Sequence, residues 1–280
     1  MLNICLPTSV TRRLAERLTD GLTQELDLTP KPGLVDRWNR GSHPDLSYEL
    51  MQRSIALLGD YFQAFARGLE DEWKAPDLRQ LGQDYEVRML AAFDTNTHRG
   101  AVFLGGILLA GVYRSGDLDT ARVPGAIAGF VAELFADRLP GGTVGSQVRT
   151  RYGAGGIVRE ALEGLPALFR VGLPALELAR ALGFDRQRAC WLVMARLMQK
   201  VEDTTALRRC GPEGLARLRA DGVRLEALLL AGLDPVPFLV SANDDYCRLR
   251  LTMGGVADLL GLCIAWDDCD SDLSVQDFEV

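Results

Sequence analysis

Apolar residues recur along most of this chain at steps of three and four positions, which is the spacing of one face of an α-helix. The first such stripe consists of Leu14, Leu18 and Leu22. The pattern predicts about ten helical segments, which span Val10–Leu26, Ser47–Leu69, Asp77–Phe93, Thr97–Tyr113, Pro124–Arg138, Glu160–Leu182, Asp185–Asp203, Pro212–Ala231, Pro235–Leu251 and Gly255–Trp266. Prolines and glycines inside the sixth segment predict that its helix is broken.

No run of alternating apolar and polar residues is long enough to predict a strand. The predicted fold class is therefore all-α, a single compact multi-helix domain of about ten helices over residues 1–266. Residues 267–280 hold six acidic residues and no basic one, with little apolar periodicity. We expect this segment to be an acidic tail that frays or docks loosely.

The chain has 280 residues, 48% of them hydrophobic and 25% charged, which is typical of a folded globular protein and excludes dominant disorder. Its net charge of −7 comes mostly from the acidic tail, and the nearly neutral remainder disfavours nucleic acid as the main partner. The apolar runs are too short to cross a membrane, and no export signal is visible. We therefore expect a cytoplasmic protein with reduced thiols. Its six cysteines have no CxxC spacing, which argues against a zinc site.

The proline-rich stretch from Thr29 to Asp36 is the first segment with candidate chemistry. Two prolines fix the backbone beside a lysine, and a glycine allows the chain to bend or to approach a ligand. The residues of interest in and after this stretch are Lys31, Gly33, Asp36, Asn39 and His43. A rigid loop between helices is the alternative interpretation.

A second polar segment, Asn96-Thr97-His98-Arg99-Gly100, stands at the start of an apolar helix. Either Asn96 or Thr97 would cap that helix, and its free N–H groups suit a phosphate. The Arg99 guanidinium adds donors for an anion. An ordinary capped core helix explains the cap but not the histidine and arginine that follow it. Both histidines of the chain lie in these two segments.

Three further segments are each ambiguous when taken alone. Glycines from Gly153 to Gly156 follow Arg151 and fit either a phosphate-binding nest or a flexible linker. The adjacent carboxylates Glu202 and Asp203 repel each other at a helix end, and magnesium would relieve that repulsion, although a solvated helix end explains them equally. The third segment, Gly254-Gly255 with Asp258 in the first turn of a helix, fits either a ligand site or a simple cap.

Taken in order, these segments resemble the triphosphoribosyl-dephospho-CoA synthase family, from about Leu26 to Trp266. The resemblance is carried by the motifs Thr29–Asp36 and Asn96–Gly100, by Glu202-Asp203-Thr204 with Arg209, and by Gly254-Gly255 with Ala257-Asp258. It implies an all-α, ATP-binding transferase domain over residues 1–266. The expected reaction transfers the 5-triphosphoribosyl group of ATP to the 2′-hydroxyl of 3′-dephospho-CoA and releases adenine. The product is the prosthetic-group precursor of an acyl carrier subunit.

The resemblance also suggests roles for the candidate residues. Catalytic roles are expected for Asp36, His98, Asp203 and Asp258. Contacts with ATP and its phosphates are expected for Lys31, Gly33, Asn39, His43, Asn96, Thr97, Arg99, Arg209, Gly254 and Gly255. Magnesium (Mg2+) is expected at Glu202 and Asp203, since hard oxygen ligands suit it.

Two departures from the family pattern keep alternatives open. Cys210 stands where the family usually has glycine, and Val256 stands where it has serine. One alternative is therefore a diverged ATP-dependent ribosyl, phosphoribosyl or phosphoryl transferase with another acceptor in cofactor or natural-product biosynthesis. A second alternative is a non-catalytic all-α interaction protein. The sequence leaves a homo-oligomer open.

Overall fold

Amphipathic stripes become helices over most of the chain in a computed structural model that describes residues 9–95, 97–136 and 153–276. Eleven α-helices and no strand occur within those ranges. The helices are α1 (Val10–Asp27), α2 (Tyr48–Glu70), α3 (Ala75–Phe93), α4 (Arg99–Ser115), α5 (Val123–Leu134), α6 (Gly156–Leu162), α7 (Leu173–Ala181), α8 (Arg186–Lys200), α9 (Thr204–Leu230), α10 (Val236–Leu249) and α11 (Gly254–Gln276). The all-α prediction is confirmed.

The first and last helices pack against each other in the centre of the fold. The α1 stripe of Leu14, Leu18 and Leu22 is buried, as its four-residue spacing predicts. The two helices approach so closely that a Cβ atom on Gly21 would overlap the carbonyl oxygen of Gly261. This contact closes the bundle and brings the start of α11 beside the loop that follows α1.

Helix α4 runs through the core and is buried along most of its length. Its paired glycines, Gly105 and Gly106, face the aromatic rings of Phe62 and Tyr61 on α2, and a Cβ atom on either glycine would overlap those rings. Close helix packing thus offsets the helix-propensity cost of about 1 kcal/mol for each glycine. These contacts explain the two glycines by helix packing rather than by the close approach of a ligand.

The segment predicted to be broken is divided into three pieces. Helix α6 ends at Leu162, a π-helical turn spans Leu168–Gly172, and α7 then follows. Gly164 has a φ of 77° and packs against the backbone of Pro124, so a side chain there would be strained and would clash. The predicted break is therefore confirmed. The chain changes direction twice beside α11, between the end of α6 and the start of α7.

Two predicted helices differ in extent. The helix predicted from Pro212 does begin there, after Gly211, whose non-helical backbone with a φ of 64° kinks the chain, and α9 adds residues 204–210 before that kink. Helix α11 continues to Gln276 instead of ending at Trp266.

The extension of α11 takes in most of the segment that we expected to be an acidic tail. Carboxylates in the extension pair with arginines of earlier helices: Asp267 with Arg180 and Arg186, and Asp272 with Arg17. These pairs join distant parts of the chain, so apolar periodicity did not predict them. None of the described helices combines the length and apolar character that crossing a membrane requires.

Candidate active site

A central cleft of about 1790 Å³ opens between the starts of α4, α6, α9 and α11 and the loop after α1. Ligand pockets usually measure roughly 300–1,000 Å³, so this cleft has room for two ligands. Ten of the predicted site residues line it: His43, Thr97, His98, Arg99, Glu202, Asp203, Arg209, Gly254, Gly255 and Asp258. Segments that are more than 100 residues apart in sequence therefore meet at one place.

Asp203 joins the N-termini of two helices. Its Oδ1 accepts hydrogen bonds from the N–H groups of Thr205 at 2.8 Å and Ala206 at 3.0 Å, which caps α9. Its Oδ2 accepts the N–H of Val256 in α11 at 3.1 Å, and Gly255 leaves room for that carboxylate. The Gly254 N–H donates to the Thr205 hydroxyl at 2.9 Å. Buried at 1% exposure, Asp203 organises the cleft wall and keeps one Oδ2 lone pair unused by these contacts.

Asp258 fixes the start of α4 against α11. A Cβ atom on Gly100 would overlap its carboxylate, so a glycine is required there, and the Ala101 N–H donates to that carboxylate. Burial, together with the negative charges of Glu25 and Asp203, raises the pKa of Asp258 well above its ordinary value. The site therefore holds two neighbouring carboxylates whose repulsion a cation would relieve.

His98 is the N-cap residue of α4, a position that the sequence assigned to Asn96 or Thr97. Asn96 lies outside the described residues. The Thr97 hydroxyl does not cap the helix but contacts the Met89 sulfur at 3.3 Å. The His98 ring packs inward, with Nδ1 at 2.7 Å from the hydroxyl of Ser54. Burial, aided by the charge of Lys31, lowers the pKa of His98 to about 4, so the ring is neutral at pH 7.

His43 also lines the cleft, beside Arg209. The Arg209 guanidinium donates to His43 Nδ1 at 3.3 Å and to the carbonyl oxygen of Ser42 at 2.7 Å. A guanidinium has only donors, so the proton of His43 is on Nε2, which donates to the Thr252 hydroxyl at 2.8 Å. Burial and the charge of Arg209 lower the pKa of His43 to about 4.

Glu202 and Asp203 do not meet as the expected pair of repelling carboxylates. Glu202 turns to α6, where it forms an ion pair with Arg159 and accepts the Gly155 N–H at 3.0 Å. Asp203 belongs to the next helix, because α8 ends at Lys200 and Asp203 caps the positive end of α9. The expected repulsion of two carboxylates at one helix end is thus wrong, since the chain turns between the two elements.

Four predicted residues of the loop after α1 do not line the cleft: Lys31, Gly33, Asp36 and Asn39. The Lys31 amine is buried and forms an ion pair with Glu25 Oε1 at 2.6 Å. Asp36 accepts the N–H groups of Lys31, Trp38 and Asn39 and so holds the loop in shape. For Lys31 and Asp36 this placement differs from the phosphate and catalytic roles expected, because both side chains are buried and already paired within the protein.

Besides Arg209, the cleft holds basic side chains that are not among the predicted site residues. Five basic side chains line it without a carboxylate at ion-pair distance in the described part of the chain: Arg79, Arg170, Lys200, Arg208 and Arg209. Arg208 stands beside a predicted residue and could have been noticed. The other three new ones come from separate helices, and only the tertiary fold brings them together.

Glu160 is a further side chain of the cleft wall that the sequence did not assign a role. Its Oε1 accepts the Ala167 N–H at 2.6 Å. Burial raises the pKa of this carboxyl to about 7. At neutral pH a substantial fraction of Glu160 is therefore protonated, which makes it able to donate a proton inside the cleft.

One arm of the cleft is apolar. Phe103 of α4 and Phe135 after α5 stack with ring centroids 6.0 Å apart, and Phe130 and Leu134 continue the surface. Arg79 lies at this arm and donates to the Leu134 carbonyl oxygen at 3.1 Å. The cleft thus combines a charged part with an arm for an uncharged, flat or extended group.

The donor set suits a metal that is shared with a ligand. Within the described ranges no group of three or more histidine, cysteine, aspartate or glutamate side chains could hold a metal ion. Magnesium, however, commonly takes one or two protein carboxylates together with substrate phosphates and water. Asp258 and the remaining Oδ2 lone pair of Asp203 fit that requirement, whereas Glu202 is engaged by Arg159.

Comparison with known proteins gives one consistent family. The family model CitG, described as ATP:dephospho-CoA triphosphoribosyl transferase, matches residues 11–276. A protein of Pseudomonas putida named probable 2-(5''-triphosphoribosyl)-3'-dephosphocoenzyme-A synthase is 36% identical, over 94% of this chain and 96% of its own length. Proteins with the same name from Stutzerimonas stutzeri (36% identical, 92% of each chain) and Pseudomonas aeruginosa strain UCBPP-PA14 (37% identical, 91% of this chain and 89% of its own) are similar. No solved structure matches the chain.

Proposed function

The chain belongs to the family of ATP:dephospho-CoA triphosphoribosyl transferases, and we propose that it carries out this transfer in the central cleft. The acceptor is the 2′-hydroxyl of 3′-dephospho-CoA, and the product is the prosthetic-group precursor of an acyl carrier subunit. The observation that carries the proposal is the group of five cleft cations without carboxylate partners in the described part of the chain. ATP and dephospho-CoA bring a triphosphate and a diphosphate, and these cations neutralise that charge.

The reaction is a substitution at the anomeric carbon of the ATP ribose. The acceptor oxygen forms a bond to C1′, and the bond from C1′ to N9 of adenine breaks with its electron pair going to the base. The acceptor hydroxyl loses one proton, and the departing adenine gains one. Charge similar to an oxocarbenium ion develops on the sugar, so the site needs a base, an acid and fixed negative charge.

The described residues supply these groups. Asp203 and Asp258 would hold Mg2+ with the phosphates, and the ion would neutralise charge on the triphosphate. Glu160, with a pKa of about 7, is the proposed proton donor to adenine. His98, which lines the cleft and is neutral at pH 7, is the proposed proton acceptor. The apolar arm with Phe103 suits the uncharged pantetheine part of dephospho-CoA.

The two departures that kept a different acceptor open, Val256 and Cys210, lie away from the cleft surface. Val256 is fully buried, and only its backbone N–H reaches Asp203. The thiol of Cys210 donates to the Leu249 carbonyl oxygen at 3.2 Å, and neither residue lines the cleft. These placements favour the family acceptor over a different one.

Incubation of the full chain with ATP, Mg2+ and dephospho-CoA tests the proposal. Mass spectrometry should detect free adenine and a dephospho-CoA derivative that is heavier by the triphosphoribosyl group. A matched reaction with CoA, whose 3′-phosphate adds bulk and charge beside the 2′-hydroxyl, should give much less product. Release of ADP instead of adenine, or adenine without an adduct, would refute the assignment.

A further inference from the structure

Ser54, in the second turn of α2, lies directly behind His98 and has no role in the reaction as described above. Its side chain is fully buried, and its Oγ is 2.7 Å from His98 Nδ1. The same oxygen forms a hydrogen bond with the hydroxyl of Thr97. The His98 ring lines the cleft, and Ser54 therefore contacts this ring from the side that faces away from the cleft.

The network around Ser54 determines which ring nitrogen of His98 carries the proton. The Thr97 hydroxyl has one hydrogen, and it donates to the Met89 sulfur, which can only accept. Thr97 must then accept the hydrogen of Ser54, so that His98 Nδ1–H donates to Ser54 Oγ at 2.7 Å and is shared with Thr97 Oγ1 at 3.1 Å. The opposite tautomer needs a hydroxyl hydrogen on Nδ1, from Ser54 or from Thr97. The two hydroxyl hydrogens then cannot serve Nδ1, the contact between Ser54 and Thr97 and the contact with Met89, whose sulfur would keep only the backbone N–H of His98.

We infer that Ser54 is a positioning residue that holds His98 as the Nδ1–H tautomer and so presents the lone pair of Nε2 to the cleft. Nε2 has no hydrogen-bond partner among the described residues. It is not a buried atom left without a partner either, because within those residues only Tyr246 Oη is in that state. His98 is 5% exposed and lines the cleft, so a bound ligand can reach Nε2.

This arrangement specifies a path for the protons of the transfer reaction. That path rests on the proposed function. The acceptor hydroxyl gives its proton to Nε2 as its oxygen bonds to C1′, and Glu160 gives a proton to the departing adenine. His98 then holds a proton on each nitrogen, and Ser54 keeps accepting from Nδ1–H without rearrangement. Solvent returns the proton from His98 to Glu160 between turnovers.

His43 provides an internal reference, because its proton is on the other nitrogen. Arg209 donates to Nδ1 of His43, which leaves Nε2–H to donate to Thr252. The chain has only two histidines. Its imidazole nitrogens should therefore give two resolvable patterns of opposite tautomer.

Nitrogen NMR of the full chain, labelled with ¹⁵N in its histidine rings and recorded at pH 7 without substrate, tests the inference. We expect one Nδ1–H ring and one Nε2–H ring, and His43→Gln should leave only the first. Ser54→Ala should shift His98 toward the Nε2–H form and lower kcat about tenfold with little change in KM, whereas Ser54→Thr should retain the parental tautomer. Thr97→Val is a second probe, because it frees the Ser54 hydrogen for Nδ1 and should shift the tautomer in the same direction.

A parent protein with His98 in the Nε2–H form would overturn the inference, as would Ser54→Ala with an unchanged tautomer and unchanged kcat. The spectrum needs no substrate, so it separates this inference from the proposed function. A parent that has the expected tautomer but makes no triphosphoribosyl product would refute the function and leave the role of Ser54 in fixing the ring supported.

Discussion

The floor and the rim of the cleft differ in whether the protein itself supplies partners for their polar and charged groups. The floor, which we define as His98, Asp203 and Asp258, consists of polar groups that protein donors and acceptors already hold in place. The rim, defined as Arg79, Arg170, Lys200, Arg208 and Arg209, consists of cations without a carboxylate partner in the described part of the chain. Folding alone fixes the floor, whereas the charge of the rim is balanced only when an anion binds.

This difference has an energetic basis. The rim cations Arg170, Lys200 and Arg208 are exposed, stay hydrated and cost little in the free protein, whereas Arg79 and Arg209 are half-buried and donate to backbone carbonyl oxygens. Floor groups are taken out of water, so each one needs partners, and Asp258 keeps an unfavourable charge near Glu25 and Asp203. Changes in the floor should therefore alter stability together with activity, and changes at the exposed rim cations should alter substrate binding alone.

The largest effect is expected beneath the floor, at the buried ion pair of Lys31 and Glu25. Lys31→Met removes the amine and leaves a buried carboxylate without its cation, which should lower the free energy of unfolding by about 3–5 kcal/mol. Urea denaturation at pH 7 measures this loss. Lys74→Met, at an exposed position, is the control and should have little effect. If Lys31→Met unfolds like the parent but binds ATP poorly, Lys31 is a phosphate ligand as the sequence motif suggested.

Asp258→Asn should separate activity from stability. Loss of the carboxylate should reduce kcat by a factor on the order of 10²–10³. The folded protein raises the pKa of Asp258, so its ionised form is less favourable folded than unfolded, and removing the charge should raise the free energy of unfolding at pH 7. Adenine release and urea denaturation measure the two effects. Asp244→Asn, at an exposed position, should change neither, and a less stable Asp258→Asn would contradict the placement of this charge.

The helices and the site differ in how far the sequence predicts them. Stripes such as Leu14, Leu18 and Leu22 predict helices because burial of one face is a local periodic property. Local motifs likewise predicted that His98 and Asp258 lie in one cleft. The sequence did not predict that Lys31 pairs with Glu25 or that Ser54 lies behind His98. Those contacts depend on side-chain directions and on helix packing, which spacing along the chain does not contain.

The neutral state of His98 gives the floor a dependence on pH. Its pKa is about 4 in the folded protein against 6.5 for an ordinary histidine, so the unfolded chain binds a proton first as the pH falls. The contribution of His98 to the free energy of unfolding is fully present above pH 6.5 and decreases as the pH falls toward 4. Between pH 7 and pH 5 it decreases by about 2 kcal/mol. Urea denaturation at both pH values should therefore show a larger decrease in the parent than in His98→Gln. Equal decreases would mean that the ring is accessible to solvent.

The smallest effect is expected at the rim, where Arg208→Ala should raise the KM for ATP or for dephospho-CoA about tenfold and leave kcat and the free energy of unfolding nearly unchanged. Arg208 is exposed and has no carboxylate partner within the described residues, so no folded-state interaction is lost with it. Each neutralised phosphate contact also weakens with salt, so the rise in KM should shrink as ionic strength increases. Arg219→Ala removes a similar exposed arginine of α9 outside the cleft and should leave both KM values unchanged. If Arg208→Ala lowers kcat or stability instead, the division between a prearranged floor and a ligand-neutralised rim does not hold.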